Sequence, residues 1–200
     1  MNILFINEKG GTGKTTVAWN MAVEFQRNNY NTILVDMDKQ RSLTNINELR
    51  EKDKFTVASL TDIEKGNINI IDAGGRDSVE MREALTIADL VFIVSNVSQL
   101  DLFAVERIKN LVNKGKGFNN FREFYILNRI PANPFLQKET KDFLDFCKDS
   151  HNIIFLPEAI CERVIYKRSI QDGLSAPEAG TDEKATKEVK RLFINIKKLL

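Results

Sequence analysis

The residues most able to do chemistry form one short stretch, Glu8–Thr16, which reads E-K-G-G-T-G-K-T-T and follows the apolar run Ile3–Ile6. Its three glycines allow backbone N–H groups to turn inward without obstruction by a Cβ. Lys14 can reach the β- and γ-phosphates of a nucleotide as a point charge, and the Thr15 hydroxyl can ligate Mg²⁺ beside them. The stretch therefore predicts a phosphate-binding loop between a strand and a helix. The predicted nucleotide contacts in it are Gly10, Gly11, Thr12, Gly13, Lys14, Thr15 and Thr16.

Carboxylates at the ends of two later apolar runs could act beside those phosphates. Open α/β sheets bind ligands at the carboxyl ends of their strands, so we expect Asp36, Asp38 and Asp72 near the loop. Asp72, and with it Asp36, is predicted to hold Mg²⁺ through water. Gly74 and Gly75 follow Asp72 and are predicted to form a hinge that responds to the γ-phosphate. An Asp-x-Asp sequence can also be only a turn or a helix cap, but the glycine-rich loop upstream favours catalysis.

The elements that must position these residues are short apolar runs alternating with helical segments. This pattern predicts a three-layer α/β fold of the P-loop NTPase type, a mostly parallel twisted sheet with helices on both faces, in one domain over residues 1–200. The predicted strands are Asn2–Ile6, Thr32–Asp36, Ile68–Asp72, Leu90–Ser95, Glu123–Leu127 and Ile153–Leu156. The predicted helices are Lys14–Asn28, Ser42–Lys52, Val79–Ile87, Leu102–Lys114, Phe135–Asp149 and Ala185–Leu199.

Composition limits the class of protein. With 200 residues, 42% of them hydrophobic, the chain can fill a sizeable core. Its net charge of +1 neither favours nor excludes an anionic partner. Cys147 and Cys161 have no metal-binding spacing and are expected to be reduced thiols. Met1 leads straight into a strand, and the longest apolar run, Leu90–Val94, is too short to cross a bilayer. We therefore expect a cytoplasmic protein.

The loop sequence departs from the ordinary phosphate-loop motif in a way that marks a family. Glu8 stands where that motif has its first glycine, and Lys9 precedes the glycine pair. The form K-G-G-x-G-K-T-T resembles the deviant Walker A box of the ParA/MinD superfamily of ATPases. The resemblance implies an Mg²⁺-dependent ATP hydrolase that binds ATP or ADP and forms a homodimer with ATP. In that dimer Lys9 would contact the partner subunit's phosphates, and Lys9, Lys14 and Asp38 would be catalytic, with Asp38 orienting the attacking water. Lys39 stands where the family's D-x-D-P-Q box has proline.

The resemblance extends to the C-terminal third and so covers essentially the whole chain. The segment Ile126–Pro131 resembles the one that MinD-like ATPases place against adenine, which implies a base contact for Asn128, and Pro157 is expected to lie over the base. Isolated Asn and Pro residues at strand ends are also common turn formers. Arg163–Gly173 resembles a segment of the small ParF-like plasmid partition proteins, and the loop Ser95–Asp101 is expected at the dimer face. The resemblance to that small subgroup also implies that no N-terminal DNA-binding extension is expected.

This subgroup implies a role in segregating plasmids or chromosomes. Its members bind double-stranded DNA nonspecifically as ATP dimers, and a ParB- or ParG-like centromere-binding protein stimulates hydrolysis, so the protein would be associated with the nucleoid. The candidate DNA-binding residues are Arg163, Lys167, Arg168, Lys187, Lys190 and Arg191. A solvated helix face would carry the same lysines and arginines.

Two alternatives remain open. The tail Lys187–Leu200 has an apolar stripe flanked by lysines, as in the membrane anchor of MinD, and would then mark a MinD-like membrane-associated positioning ATPase. We prefer packing of this stripe against the sheet, and expect no integral membrane contact, because no flexible linker separates the tail from the preceding segment. A small-molecule ligase such as dethiobiotin synthetase fits the loop motif alone.

Overall fold

A computed structural model describes residues 1–64, 66–74, 78–97, 99–131, 137–151, 153 and 155–200, with the backbone alone at 99–106, 137–139, 150 and 151. The strands are β1 (Asn2–Ile6), β2 (Thr32–Asp36), β3 (Thr56–Val57), β4 (Ile68–Ala73), β5 (Leu90–Ser95) and β6 (Arg122–Leu127). The helices are α1 (Lys14–Arg27), α2 (Ser42–Leu49), α3 (Val79–Ile87), α4 (Gln99–Gly115), α5 (Gln137–His151), α6 (Val164–Gln171), α7 (Ala176–Ala179) and α8 (Glu183–Lys197). The predicted hinge residue Gly75 lies outside the described residues.

All six strands belong to one sheet, in the order β3-β2-β4-β1-β5-β6, and every ladder between them is parallel. Strand β1 is central, with β4 and β5 on either side. The register pairs Asp72 with both Asp36 and Phe5, so the carboxyl ends of three neighbouring strands share one edge. The sheet therefore brings the two acidic strand ends and the loop after β1 together.

Except in β3, whose two residues are exposed, alternating side chains of the strands enter two separate cores, which confirms the three-layer prediction. Ile3 and Phe5 point to the layer that contains α1 and α8, whereas Leu4 and Ile6 point to the layer that contains α3 and α4. Nearly continuous apolar strands are typical of a parallel sheet that is covered on both faces.

The prediction of a strand at Ile153–Leu156 is wrong in form. Phe155 makes one isolated parallel bridge to Tyr125, and a second bridge joins Cys161 to Ile130, so this segment follows the edge of β6 without forming a ladder. Residue 154 lies outside the described part of the chain.

Helix α2 ends three residues before its predicted end because Arg50 leaves the helical conformation, with φ −68° and ψ 125°. Its guanidinium forms a two-pronged ion pair with Glu178, at 2.7 and 2.9 Å, and lies over the rings of Trp19 and Phe55. A contact between residues 128 positions apart overrides the local helical pattern. Elements β3, α6 and α7 were not predicted.

The C-terminal helix α8 packs its apolar stripe into the core. Ring centroids of Phe193 and Phe25, on α1, lie 5.0 Å apart in an edge-to-face arrangement, and Val189, Leu192 and Ile196 are buried. The core therefore already uses the stripe that an amphipathic membrane anchor would need. Among the helices that the structure describes, none combines the length and apolarity needed to traverse a bilayer.

Candidate functional site

The glycine-rich loop connects the end of β1 to the first turn of α1. Gly11 and Gly13 have φ values of 76° and 88°, in the left-handed region that favours glycine. Gly13 is the N-cap of α1, and no side chain caps this fully described helix. Its first turn also has no acidic residue. The N–H groups at the helix start are thus available to an anion, as phosphate binding requires.

Asn7 fixes the start of this loop. Its side chain is fully buried, accepts a hydrogen bond from the backbone N–H of Lys9 at 2.9 Å and donates one to the carbonyl of Val94 at 2.8 Å. Next to it, Glu8 forms a 3.0 Å ion pair with Arg107 of α4. Asn7 was not among the predicted site residues, although an amide directly after an apolar strand is a usable signal, because a buried amide must find hydrogen-bond partners.

Thr15 and Asp72 meet at the head of α1. The Thr15 hydroxyl donates a 2.5 Å hydrogen bond to Oδ2 of Asp72, whose side chain is fully buried and whose Oδ1 has no partner within the described structure. Burial raises the pKa of Asp72 to about 7, opposed by the bond from Thr15 and by the charge of Lys14. A hydroxyl beside a carboxylate with an unpaired oxygen is a donor set that Mg²⁺ accepts, so Thr15 could bind the ion directly and Asp72 through water.

Lys14 is buried near two carboxylates. It is 6% exposed, and burial lowers its pKa, while the charges of Asp72 and Asp38 oppose that shift. The two carboxylates compensate the buried ammonium of Lys14 when no anion is bound. The ammonium is therefore already in place for the phosphates that the loop would bind.

The two aspartates at the end of β2 have different surroundings. Oδ1 of Asp36 accepts from the N–H of Asp38 at 3.1 Å, and Oδ2 accepts from the N–H and hydroxyl of Thr44 at 2.8 and 3.0 Å. Both of its oxygens therefore hold the turn into α2, and its water-mediated metal contact stays a prediction. Oδ1 of Asp38 accepts a hydrogen bond from the N–H of Gln40 at 2.9 Å, and the side chain of Asp38 lies against Gly74.

Lys9 is partly buried, and its backbone is held at both ends. Besides the bond from its N–H to Asn7, its carbonyl accepts from the Thr12 hydroxyl at 3.5 Å. Its role in a second subunit stays a prediction. So does the dimer face at Ser95–Asp101, where residue 98 and the side chains of 99–101 lie outside the described structure.

Asn128 reaches the phosphate loop itself. Its amide is almost fully buried and donates a 2.6 Å hydrogen bond to the carbonyl of Thr12. A small cleft opens beside it. The cleft is lined by Thr16, Asn128, Arg129, Cys161, Glu162, Arg163, Tyr166 and Lys167. Pro157 is exposed in a loop that is held on either side by backbone hydrogen bonds, from Leu156 to Tyr125 and from Ile160 to Leu127. It does not belong to the lining of the cleft. Contact of Asn128 and Pro157 with a base stays a prediction.

The six predicted DNA-binding residues fall into two groups. Lys167, Arg168, Lys187, Lys190 and Arg191 are exposed on α6 and α8. Arg163 is 17% exposed and forms hydrogen bonds of 2.6 and 3.0 Å with Glu188. Its charge is therefore compensated inside the protein, by a partner 25 residues away that local sequence could not reveal.

Comparisons with known proteins agree with this geometry. Residues 3–176 match the family model described as the CobQ/CobB/MinD/ParA nucleotide binding domain. An uncharacterized protein of Methanocaldococcus jannaschii is 26% identical over 145 residues, which cover 65% of this chain. The chain spans about half the length of that relative, 50%.

Three solved structures share the fold. One is McdA of Cyanothece with one aspartate replaced by alanine, in complex with ATP. It is 15% identical with a TM-score of 0.82, and the match covers 98% of this chain and 95% of that one. MinD with Mg-ADP from Pyrococcus horikoshii is 16% identical with a TM-score of 0.76, covering 99% and 96%. A Borrelia burgdorferi protein described as a plasmid partition protein, bound to AMPPNP, is 17% identical with a TM-score of 0.71, covering 96% and 98%.

The family model covers most of the chain, and the loop, the buried Lys14 and the acidic strand ends all lie within the matched residues. The chain therefore belongs to the CobQ/CobB/MinD/ParA family of nucleotide-binding proteins.

Proposed function

We propose that this protein is an ATP hydrolase of the ParA type that joins two copies of itself when it binds ATP and parts them after hydrolysis. The observation that supports this most is the cluster of Lys14, Thr15, Asp72 and Asp38 around the head of α1. The cluster supplies a buried cation for the phosphates, a hydroxyl and carboxylate for a metal, and a second carboxylate beside the place of attack.

The side chains have separate tasks in this reaction. Lys14 and the N–H groups at the start of α1 bind the β- and γ-phosphates and stabilise the charge that develops on them. Asp38 orients a water molecule for in-line attack on the γ-phosphate. Lys9 of the second subunit adds a further positive charge, so turnover depends on the dimer. When bound, Mg²⁺ would neutralise phosphate charge, held by Thr15 and, through water, by Asp72.

We further propose that the ATP-bound dimer binds DNA without sequence preference and that this serves the segregation of a plasmid or chromosome. Similarity in fold to the Borrelia partition protein and the exposed cations on α6 and α8 support this role. Within the family, the ParF-like subgroup remains our assignment from Arg163–Gly173. A ParB- or ParG-like partner would stimulate hydrolysis, and the protein would be cytoplasmic and nucleoid-associated.

A MinD-like membrane role has less support, because the apolar stripe of α8 is already packed against α1. MinD is among the proteins of similar fold, so fold alone does not separate the two roles.

The enzymatic proposal is tested with Asp38→Ala. We expect the variant to retain ATP and the ATP-dependent dimer, while turnover falls by about 10²–10⁴-fold, the usual contribution of a positioned acid or base. Phosphate release measures turnover, and light scattering in the presence of ATP measures dimerisation. Asp172→Ala is the control, since Asp172 is exposed at the end of α6. Normal hydrolysis by Asp38→Ala would contradict the assignment. Lys9→Ala should reduce dimerisation and turnover together.

The DNA proposal is tested by measuring the affinity for duplexes of unrelated sequence. We expect binding with ATP but not without nucleotide, and a steep loss of affinity between roughly 50 and 200 mM salt, because lysine and arginine contacts to phosphates release counterions. Equal affinity with and without ATP, or at both salt concentrations, would rule out this mode of binding.

A further inference from the structure

We infer that Arg129 is a positioning residue that shapes the phosphate loop before any nucleotide is bound. Its guanidinium donates a 2.5 Å hydrogen bond to the carbonyl of Gly11. This inference rests on the proposed nucleotide site and adds to it a residue at the end of β6.

The hydrogen bond sets the direction of a whole peptide unit. In a planar trans peptide the C=O of one residue and the N–H of the next point in opposite directions. The structure has no cis peptide bond in its described residues, so fixing the Gly11 carbonyl also fixes the N–H of Thr12. Asn128 acts in the same way on the next unit, since its bond to the Thr12 carbonyl fixes the N–H of Gly13. Neighbouring side chains on one loop thus orient two successive N–H groups of the phosphate loop.

The backbone of Arg129 is shaped for this contact. It has a φ of 53°, in the left-handed region that non-glycine residues seldom adopt. Its Nε would lie 3.8 Å from a Cβ at Gly13, and the amide nitrogen of Asn128 would lie 2.2 Å from it, so both side chains lie against the loop. An unfavourable backbone conformation that places a side chain on a functional loop indicates a positional requirement.

The benefit of such a contact is preorganisation. Gly10, Gly11 and Gly13 give the loop freedom that a nucleotide would have to remove on binding, and a loop already held in shape loses less entropy. Arg129 donates to a carbonyl of the loop, so its loss should weaken binding of ATP and ADP alike and leave the chemical step unchanged.

The test compares Arg129→Ala and Arg129→Lys with the control Arg122→Ala. Arg122 is the first residue of β6, whereas Arg129 lies in the loop that follows the last, and the Arg122 guanidinium also donates to a backbone carbonyl, that of Leu199. In the nucleotide-free protein we expect the ¹⁵N order parameter of the Thr12 amide to fall in Arg129→Ala, from about 0.85 toward 0.6, and to fall more than that of the Gly13 amide, whose peptide unit Asn128 holds. We expect the dissociation constants for ATP and ADP to rise about tenfold, with kcat unchanged. Arg129→Lys should recover part of both effects, and Arg122→Ala should show neither.

Several results would overturn the inference. Weaker binding with unchanged order parameters would mean that Arg129 contacts the nucleotide directly. A lower kcat with unchanged affinity would make it catalytic, and no change in any measurement would leave it without a role. If the wild-type protein bound no nucleotide, the proposed function would fail, whereas the order parameters would still decide whether Arg129 holds the loop.

Discussion

The carboxylate of Asp38 lies directly against the backbone of Gly74, so that a Cβ added to Gly74 would lie 1.7 Å from Oδ2 of Asp38. The contact joins the loop after β2 to the loop after β4. This contact explains a glycine at position 74 more directly than the predicted hinge does, because only a residue without a side chain leaves room for Asp38.

Gly74→Ala should therefore reduce activity without unfolding the protein. The displaced group is a side chain that can rotate, so we expect a small change in melting temperature, but Asp38 must leave its position. Turnover should fall by at least about 10²-fold, as for loss of a positioned acid or base. Phosphate release and thermal unfolding measure the two effects. Gly117→Ala, in the turn after α4, provides the control, and a Gly74→Ala variant with normal turnover would show that Asp38 acts from elsewhere.

Asp72 should make the metal-free protein less stable as the pH rises. Burial raises its pKa from 3.8 in the unfolded chain to about 7 in the folded one. Below pH 4 both states hold the proton. Between pH 4 and 7 the unfolded chain has lost a proton that the folded chain keeps, so the free energy of unfolding decreases, by roughly 1.4 kcal/mol per pH unit at most. Above pH 7 both states are ionised and the decrease ends.

Urea unfolding of the wild type and of Asp72→Asn, in the presence of EDTA, measures this effect. The stability of the wild type relative to the variant should fall between pH 4 and 7. A difference that stays constant with pH would show that burial does not raise the pKa of Asp72. Thr15→Val removes the hydrogen bond that opposes the shift. In that background the fall should extend to higher pH.

The sheet and the phosphate loop could be predicted because their signals are local. The apolar run before Lys14, the glycines and the acidic strand ends lie within a few residues of the elements they mark. The contacts that were missed join distant segments. Asn128 and Arg129 meet the loop across more than 110 positions, and Arg50 meets Glu178 across 128. Periodicity contains no information on such pairs.

Replacement of Phe193 should distinguish a core helix from a membrane anchor. Phe193 is 4% exposed and packs on Phe25, whereas its neighbour Ile194 is 50% exposed. We expect Phe193→Ala to lower the free energy of unfolding by about 3–5 kcal/mol, and Ile194→Ala by less than about 1 kcal/mol. Denaturant unfolding provides both values. A stable, soluble Phe193→Ala protein that has lost binding to anionic vesicles would support the membrane role instead.

Arg163 and Arg168, both candidate DNA contacts, should respond oppositely to replacement. Arg163 holds Glu188, which also accepts from the Tyr166 hydroxyl at 3.0 Å and from the backbone N–H of Cys161 at 3.2 Å. Arg163→Ala leaves this partly buried carboxylate without its cation and should lower the free energy of unfolding by about 1–3 kcal/mol. Its effect on DNA binding should be small, because the arginine charge is already compensated.

Arg168→Ala should change the free energy of unfolding by less than about 0.5 kcal/mol. It should weaken DNA binding and reduce the slope of log affinity against log salt concentration by about 0.9, since it removes one phosphate contact. Titrations of both variants with duplex DNA at several salt concentrations decide this. An equal loss of affinity would place Arg163 on the DNA surface after a rearrangement of its ion pair.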